Sequence, residues 1–275
     1  MMLPQLPTHD HWIPTPQGRL FARRWTPPQA EGGVRSPIVL LHESLGSVSV
    51  WRDFPARLAR ATGREVIAYD RLGFGRSDPH PGTLALSFVQ DEAREGFAAL
   101  RAQLGIDRFV ALGHSVGGGM ALGCAHAWPD DCEALVLESA QAFVEPLTLA
   151  GIRAAEAQFA AVGPDGASPA MARLAAHHGD KAPWVLRAWV DTWLSPAFAG
   201  WNLDTLLPGL RCPLLVLHGE QDEYGSPAQP QRFIALAGGP ATLALLPGCG
   251  HVPHRQHPQR VLDAVADFLA GRPAA

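Results

Sequence analysis

A serine stands at the centre of the most distinctive chemical motif in the chain, Gly113-His114-Ser115-Val116-Gly117. An apolar strand pattern, F-V-A-L, runs into this motif, and a helix pattern rich in small residues runs out of it. Glycine at 113 and 117 removes side chains that would collide in a sharp turn between the two elements. The pattern predicts that Ser115 lies on such a turn, where its hydroxyl could act as a nucleophile.

A serine hydroxyl needs a base within hydrogen-bond distance, and the base needs a third group that orients it. Asp222 follows the buried strand pattern P-L-L-V-L-H, and His251 follows the strand pattern A-L-L-P. Because α/β sheets place ligands beyond the carboxyl ends of their strands, we predict that Ser115, Asp222 and His251 meet there. Asp222 would orient the imidazole, whose other nitrogen would take the serine proton. Glu220 and Glu223 are rival acids on the same loop.

The histidines after the last strand could suggest a metal site, because His251, His254 and His257 recur at intervals of three. Pro253 and Pro258 break any helix that would align them, and no acidic ligand is near them in sequence. We therefore predict no metal, and we expect His254 and His257 to be surface or helix-start residues.

The segment G-F-G-R-S-D resembles a dinucleotide-binding fingerprint, but Asp78 stands where the third glycine should be. A loop rather than a helix is predicted after it, so we expect no bound cofactor. The only lysine, Lys181, lies in D-K-A-P, which excludes a phosphate-binding P-loop.

Charge and composition narrow the possible partners. The chain has 22 Lys+Arg against 26 Asp+Glu, a formal net charge of −4, and no run of basic residues, so nucleic acid is not an expected partner. The amino terminus lacks the charged and apolar stretches of a signal peptide. The charge-free run from Phe109 to Trp128 is rich in glycine, and we interpret it as a buried strand and helix rather than a membrane span. Four cysteines without metal-site spacing fit a reduced, cytoplasmic protein.

The elements that would position the chemical residues alternate along the chain. An antiparallel hairpin is predicted in the first 30 residues, followed by continuous apolar strands separated by helices, including one amphipathic helix over Ser87 to Leu104. Such βαβ alternation predicts an α/β fold with a mostly parallel sheet of about eight strands flanked by helices. From Pro146 to Pro208 only helical patterns occur, with four of the eight tryptophans, which indicates a helical insertion.

These motifs together resemble the α/β-hydrolase superfamily. The resemblance rests on L-L-H-E-S-L-G-S, Y-D-R-L-G-F-G-R-S-D, G-H-S-V-G-G, H-G-E-Q-D and G-C-G-H, which extend over nearly the whole chain outside the insertion. It implies a core domain of residues 1–145 and 209–275 with a cap domain of residues 146–208. It also implies that Ser115, Asp222 and His251 form a catalytic triad.

The same resemblance implies that the backbone amides of Ser44 and Val116 form an oxyanion hole. The family usually has H-G where this chain has His42-Glu43, so Glu43 is either a buried structural acid or a group that contacts substrate or water. As pocket residues we expect Glu43, His114, Trp184 and Trp189, although the cap tryptophans could also serve only to pack the cap on the core.

The implied function is hydrolysis of a small to medium, partly hydrophobic carboxylic ester through an acyl-enzyme, with no metal or organic cofactor. The same residues could instead cleave a carbon-carbon bond in a vinylogous diketone, a lactone, a thioester or a small amide, or perform perhydrolysis, because a fold does not determine its substrate. A non-catalytic small-molecule receptor of this fold is a further alternative. The expected partner is a small-molecule substrate, and a second copy of the chain could form a homodimer with the first. We expect the protein to bind neither a membrane nor nucleic acid.

Overall fold

The structure is a computed structural model, and it describes residues 5–28, 35–163 and 166–271. Within these residues, eight strands form a single sheet in the order β1-β2-β4-β3-β5-β6-β7-β8. The hairpin of β1 and β2 is antiparallel and joins the sheet antiparallel to β4, whereas β3 to β8 run parallel to one another. The strands are β1 Thr8–Thr15, β2 Gly18–Trp25, β3 Ile38–Leu41, β4 Val66–Tyr69, β5 Phe109–His114, β6 Cys132–Glu138, β7 Leu214–Gly219 and β8 Ala241–Leu246.

Helices flank this sheet on both faces, and three more helices lie between β6 and β7. Every residue of β3, β4, β5 and β7 is buried, as the continuous apolar runs predict for strands covered on two sides. The predicted α/β architecture with a mostly parallel sheet is confirmed. The helices are α1 Phe54–Thr62, α2 Phe88–Arg94, α3 Gly96–Leu104, α4 Val116–Ala127, α5 Pro146–Ala160, α6 Pro169–His178, α7 Ala182–Trp193, α8 Ala228–Leu236, α9 Pro253–Gln256 and α10 Pro258–Leu269.

The single helix predicted over Ser87 to Leu104 is wrong, because the chain forms α2 and α3 with a break at Glu95. The carboxylate of Glu92 lies against Gly96, where any Cβ would be 2.2 Å from Glu92 Oε1. That carboxylate accepts a hydrogen bond of 2.7 Å from the Tyr69 hydroxyl. The break therefore coincides with a buried polar contact, which the apolar periodicity of the sequence does not register.

The charge-free run from Phe109 to Trp128 contains β5 and the whole of α4, as we predicted. In the part of the chain that the structure describes, no helix combines the length and the apolar character needed to cross a membrane.

The predicted cap segment, residues 146–208, contributes α5, α6 and α7, and its described residues form no strand. Val190 and Trp193 from α7 and Phe198 after it belong to the same buried apolar cluster as Met120 in α4. This segment is thus packed on α4 and its neighbours through apolar side chains, mainly from its carboxyl-terminal half.

His178, at the end of α6, connects this helix to the loops after β3 and β4. Its Nδ1 accepts the backbone N–H of Gly75 at 2.9 Å, and its Nε2 lies 2.9 Å from the carbonyl oxygen of Leu45, to which it donates. Lys181 donates to the Gly75 carbonyl at 2.8 Å. Both ring nitrogens are satisfied only in the neutral imidazole, so protonation would break the bond from Gly75.

We expect His178 to make the protein less stable in acid. Burial lowers the pKa of His178 to about 4 in the folded protein, from 6.5 for the ordinary side chain. Below pH 6.5 the unfolded chain takes up a proton that the folded chain does not, so the free energy of unfolding falls between pH 6.5 and about 4. At pH 4.5 the loss attributable to His178 should be about 2 to 3 kcal/mol.

The measurement is urea unfolding of the wild type and His178→Gln at pH 7.5 and pH 4.5. Gln keeps a donor and an acceptor but does not titrate, so its loss of stability on acidification should be smaller by that amount. Buried His42, His114 and His218 also have lowered pKa values, but they contribute equally to both proteins. Equal losses in the two proteins would contradict the assignment.

Candidate active site

Ser115 lies on a sharp turn between the end of β5 and the start of α4. Its φ of 56° and ψ of −128° are a strained conformation for a residue with a side chain. A Cβ at Gly113 would lie 2.1 Å from the carbonyl oxygen of Gly117, and a Cβ at Gly117 would lie 2.2 Å from that of Leu41. The two glycines are therefore required for the close approach of strand and helix that holds Ser115 in this position.

The structure brings Ser115, His251 and Asp222 into one hydrogen-bonded row. The distance from Ser115 Oγ to His251 Nε2 is 3.0 Å. His251 Nδ1 lies 2.8 Å from Asp222 Oδ1 and 2.9 Å from Oδ2. A carboxylate at Nδ1 keeps the proton on that nitrogen, so Nε2 is left with the lone pair that can accept the serine proton.

The side chain of Asp222 is fixed by two further donors. Its Oδ1 accepts the backbone N–H groups of Tyr224 at 2.8 Å and Gly225 at 3.0 Å. Burial pushes the pKa of Asp222 upward, but the hydrogen bond and charge of His251 outweigh it, and the pKa lies below 3.8. Asp222 is therefore ionised at neutral pH and can stabilise a positively charged His251.

The predicted rival acids on this loop do not reach the imidazole nitrogens through any hydrogen bond that the described residues make. Glu223 Oε2 accepts the backbone N–H of His251 at 3.1 Å, and Glu220 is exposed. Asp222 is thus the acid that contacts the ring.

A cavity of about 180 Å³ opens beside Ser115 and His251. Its walls come from the loop after β3, the helices α5 and α7, and the segment around α9. Most of the exposed lining is apolar, which suits a substrate with a hydrophobic part. The lining residues are Glu43, Ser44, Leu45, Val50, His114, Ser115, Gln141, Thr148, Ile152, Trp189, Trp193, Tyr224, His251, Val252, His254 and Arg255.

Three of the four expected pocket residues, Glu43, His114 and Trp189, line this cavity, but Trp184 does not. The Trp184 ring stacks on His80 at 5.0 Å between centroids, and its Nε1 donates to the Gly82 carbonyl at 2.7 Å. Trp184 therefore joins α7 to the loop after β4. Helical spacing places Trp184 and Trp189 on different sides of α7, but it does not indicate which side faces the cavity.

The sequence left open whether Glu43 is a buried structural acid or a group that contacts substrate or water, and the structure shows features of both. Its Oε2 accepts the backbone N–H of Leu45 at 2.5 Å, which is a structural contact within the loop. Its carboxyl group also lines the cavity, where burial raises its pKa above the ordinary 4.5. Within the described residues, no basic side chain lies within 4 Å of it.

The two amides expected to form an oxyanion hole are available for a ligand. Val116 is the first residue of α4, so its N–H has no acceptor within the helix. The Ser44 N–H likewise has no acceptor among the residues that the structure describes. Ser44 and Ser115, the residue before Val116, line the same cavity.

Sequence reasoning did not identify Gln141 or Tyr224 as site residues. Gln141 Oε1 lies 3.2 Å from Ser115 Oγ, and the Tyr224 ring packs on His251 at 4.8 Å between centroids. The single serine proton cannot serve Gln141 and His251 together; turning the amide by half a turn would let Gln141 donate instead. Gln141 follows β6 and Tyr224 follows Asp222, so the rule that ligands lie beyond strand ends could have indicated both.

His254 lies at the start of α9, as one alternative predicted, but it is buried rather than on the surface. Its Nδ1 lies 2.8 Å from Oε2 of Glu138, the last residue of β6. A buried carboxylate at the end of β6 provides its partner, and sequence spacing does not reveal this. Across residues 5–28, 35–163 and 166–271, no three His, Cys, Asp or Glu side chains are grouped closely enough to hold a metal ion.

The sheet order, the strained serine turn and the histidine beyond β8 define the class of α/β-hydrolase folds. Residues 38–264 match the sequence profile of the Alpha/beta hydrolase family, and the chain belongs to this family. Part of polyketide synthase ThaQ from Burkholderia thailandensis is 31% identical over 257 residues, covering 86% of this chain but only 12% of ThaQ.

Solved structures show the same fold. Proline iminopeptidase from Mycobacterium smegmatis has a TM-score of 0.70 at 24% identity, over 96% of this chain and 98% of that one. A thermophilic esterase from Thermogutta terrifontis has a TM-score of 0.70 at 22% identity, over 96% and 98%. At such identities the likeness concerns the fold, and it leaves the substrate open.

Proposed function

We propose that this protein is a serine hydrolase that cleaves a small to medium, partly hydrophobic carboxylic ester through an acyl-enzyme at Ser115. The observation that carries the proposal is the row of hydrogen bonds from Ser115 through His251 to Asp222 beside a mainly apolar cavity. An alcohol oxygen, a base with a free lone pair and an ionised carboxylate are the groups that acyl transfer requires.

In the first half of the reaction, Ser115 Oγ attacks the ester carbonyl carbon while His251 Nε2 takes its proton. The carbonyl oxygen becomes an oxyanion that the N–H groups of Ser44 and Val116 stabilise. The tetrahedral intermediate collapses, the bond to the alcohol oxygen breaks, and His251 returns the proton to that oxygen. The alcohol leaves, and the acyl group stays on Ser115.

In the second half, water takes the place of the alcohol. His251 Nε2 accepts a proton from the water, the resulting hydroxide attacks the acyl carbon, and a second oxyanion forms at the same two amides. Collapse breaks the bond to Ser115 Oγ, which regains the proton from His251. Asp222 remains ionised throughout and stabilises the imidazolium in both halves.

The experiment is labelling with a fluorophosphonate probe together with a panel of p-nitrophenyl esters of increasing acyl length. Ser115 should react with the probe, Ser115→Ala should not, and short and medium esters should be cleaved faster than long ones because the cavity is small. A receptor of the same fold would bind small molecules without probe reaction or turnover, and this result would reject the proposal.

A second candidate is hydrolysis of an amide bond next to an amino group, and it is favoured by Glu43. This carboxyl group lines the cavity without a basic side chain within 4 Å in the described part of the chain, so a substrate ammonium could pair with it. Glu43→Gln keeps the acceptor for Leu45 N–H but removes the charge.

If the candidate holds, Glu43→Gln should lower kcat/KM for aminoacyl p-nitroanilides by about tenfold or more relative to acyl p-nitroanilides of the same shape without the amine. The ratio is the informative quantity, since a disturbance of the loop would lower both rates together. An unchanged ratio, or no cleavage of aminoacyl substrates by the wild type, would leave ester hydrolysis as the sole proposal.

A further inference from the structure

The carbonyl oxygen of Glu43 has three N–H donors around it. His42 Nδ1 lies 2.8 Å away, Arg71 Nη2 donates at 3.2 Å, and the backbone N–H of Gly46 donates at 3.1 Å. A carbonyl oxygen has two lone pairs, so three donors exceed its usual complement. The orientation of the peptide group between Glu43 and Ser44 is therefore held from several directions.

That peptide group also contains the N–H of Ser44, one of the two proposed oxyanion donors. The described residues contain no cis peptide bond, and in a trans peptide the N–H points opposite to the C=O. Ser44 lines the cavity, whereas His42 and Arg71 do not. The three donors fix the direction of the Glu43 carbonyl, and in a trans peptide they thereby also fix the opposite direction of the Ser44 N–H.

The protonation of His42 is fixed by its second contact. Its Nε2 accepts the backbone N–H of Arg71 at 3.2 Å, so the single proton of the neutral ring must be on Nδ1, where it is donated to Glu43. Burial, with the nearby charge of Arg71, lowers the pKa of His42 well below 6.5. The ring is consequently neutral at the pH where an ester hydrolase works, and both bonds persist.

Arg71 is a buried cation with few partners. Its guanidinium lies 4.0 Å over the ring of Phe74, its Nε has no hydrogen-bond partner, and no carboxylate lies within 4 Å of it in the described residues. A positive charge donating to a peptide carbonyl polarises that peptide and makes its N–H a stronger donor. The hydrogen bond to the Glu43 carbonyl is therefore one of the few polar contacts of this buried guanidinium, and it connects the charge to the loop after β3.

We propose that His42 and Arg71 are positioning residues, which hold and polarise the Glu43–Ser44 peptide so that the Ser44 N–H binds the oxyanion. The inference rests on the proposed function, since it assigns how one half of the oxyanion hole is built. Neither side chain touches the substrate, and both act through the peptide group.

The test uses two pairs of variants, Arg71→Met with Arg71→Lys, and His42→Phe with His42→Asn. Arg71→Met and His42→Phe remove the donors but keep apolar bulk, and each should lower kcat for a p-nitrophenyl ester by about 10- to 100-fold with little change in KM, because the bond develops in the transition state. Affinity for a trifluoromethyl ketone, which forms an oxyanion on Ser115, should fall by the same factor as kcat/KM.

The conservative variants should recover part of the loss. Arg71→Lys restores a cationic donor, and His42→Asn places an amide N–H at the position of Nδ1. Arg76→Met is the matched control, because Arg76 follows the same strand and stacks on Phe21 at 3.8 Å but pairs with Asp10 at 3.0 Å instead of the loop. It should keep the wild-type affinity for the ketone.

Unchanged ketone affinity in Arg71→Met and His42→Phe, in a wild type that hydrolyses esters through Ser115, would overturn the inference. A loss of the same size in Arg76→Met would also overturn it, since the effect would then be one of general packing. If Arg71→Met fails to fold, the His42 pair decides by the same two readouts. Failure of the proposed function differs, because the wild type itself would neither cleave esters nor bind the ketone.

Discussion

Replacement of Ser115 by alanine is expected to lower kcat for p-nitrophenyl esters by about 10⁶-fold, as removal of the nucleophile does in serine hydrolases with a triad. The reason is that no acyl-enzyme can form, while the two amides and the cavity that bind the ester remain. The measurement is steady-state hydrolysis of a short p-nitrophenyl ester by the purified wild type and variant, with the free energy of unfolding of each protein measured alongside.

Ser139→Ala is the matched control for this substitution. Ser139 lies just after β6, the strand next to β5, and it too has a positive φ, 46°. It is fully buried, and its hydroxyl has no hydrogen-bond partner among the described residues. The control should therefore hydrolyse the ester at close to the wild-type rate. Comparable losses in both variants, or substantial turnover by Ser115→Ala, would remove Ser115 from the role of nucleophile.

Asp222→Asn should produce the second largest loss, about 10⁴-fold in kcat, with the fold retained. Asp222 Oδ1 accepts two backbone N–H groups, so the amide oxygen of Asn must stay with them and its NH2 must face His251. His251 Nδ1 would then act as acceptor, its proton would move to Nε2, and Nε2 could no longer take the proton of Ser115. The measurement is kcat of the wild type and the variant at a pH on the plateau of the wild-type pH–rate profile.

The two neighbouring acids provide controls for Asp222. Glu220→Gln changes an exposed side chain and should have little effect on kcat. Glu223→Gln keeps an oxygen acceptor for the His251 backbone N–H and should cost far less than Asp222→Asn. A loss in Glu223→Gln as large as that in Asp222→Asn would reassign the acid of the triad to Glu223.

The residues that follow strand ends were the part of the site that could be predicted from the sequence. Apolar runs mark strands buried on both faces, and a parallel sheet carries all of its carboxyl ends to one edge. The residues just after β5, β7 and β8 must therefore lie near each other. The short turn at Ser115 could also be predicted from the sequence, because only glycine fits at positions 113 and 117.

Contacts between distant segments could not be predicted in the same way. The break at Glu95 coincides with the Glu92 carboxylate packed against Gly96, and the buried His254 is paired with Glu138 at the end of β6. Trp184 and Trp189 have the same residue type and lie close in one helix, yet one packs on a core loop and the other lines the cavity. Such differences arise from tertiary packing, which a local pattern does not contain.

The loop after β3 illustrates the same limit at the site itself. The sequence shows glutamate where glycine is usual, and this substitution alone gives no indication of its effect. In the structure the Glu43 side chain accepts a hydrogen bond from the Leu45 N–H. The backbone carbonyl of Glu43 accepts hydrogen bonds from His42 and Arg71. The motif around Arg71 and the motif around Glu43 thus form a single hydrogen-bonded unit, although about 28 residues separate them.

The most direct test of the account is to trap the acyl-enzyme. The wild-type protein should be mixed with an excess of a short p-nitrophenyl ester, quenched in acid within its first turnovers, digested, and examined by mass spectrometry. The account predicts one acyl group attached to the peptide that contains Ser115, appearing together with a burst of p-nitrophenol. Turnover without any covalent acyl group, or an acyl group on a different residue, would contradict it.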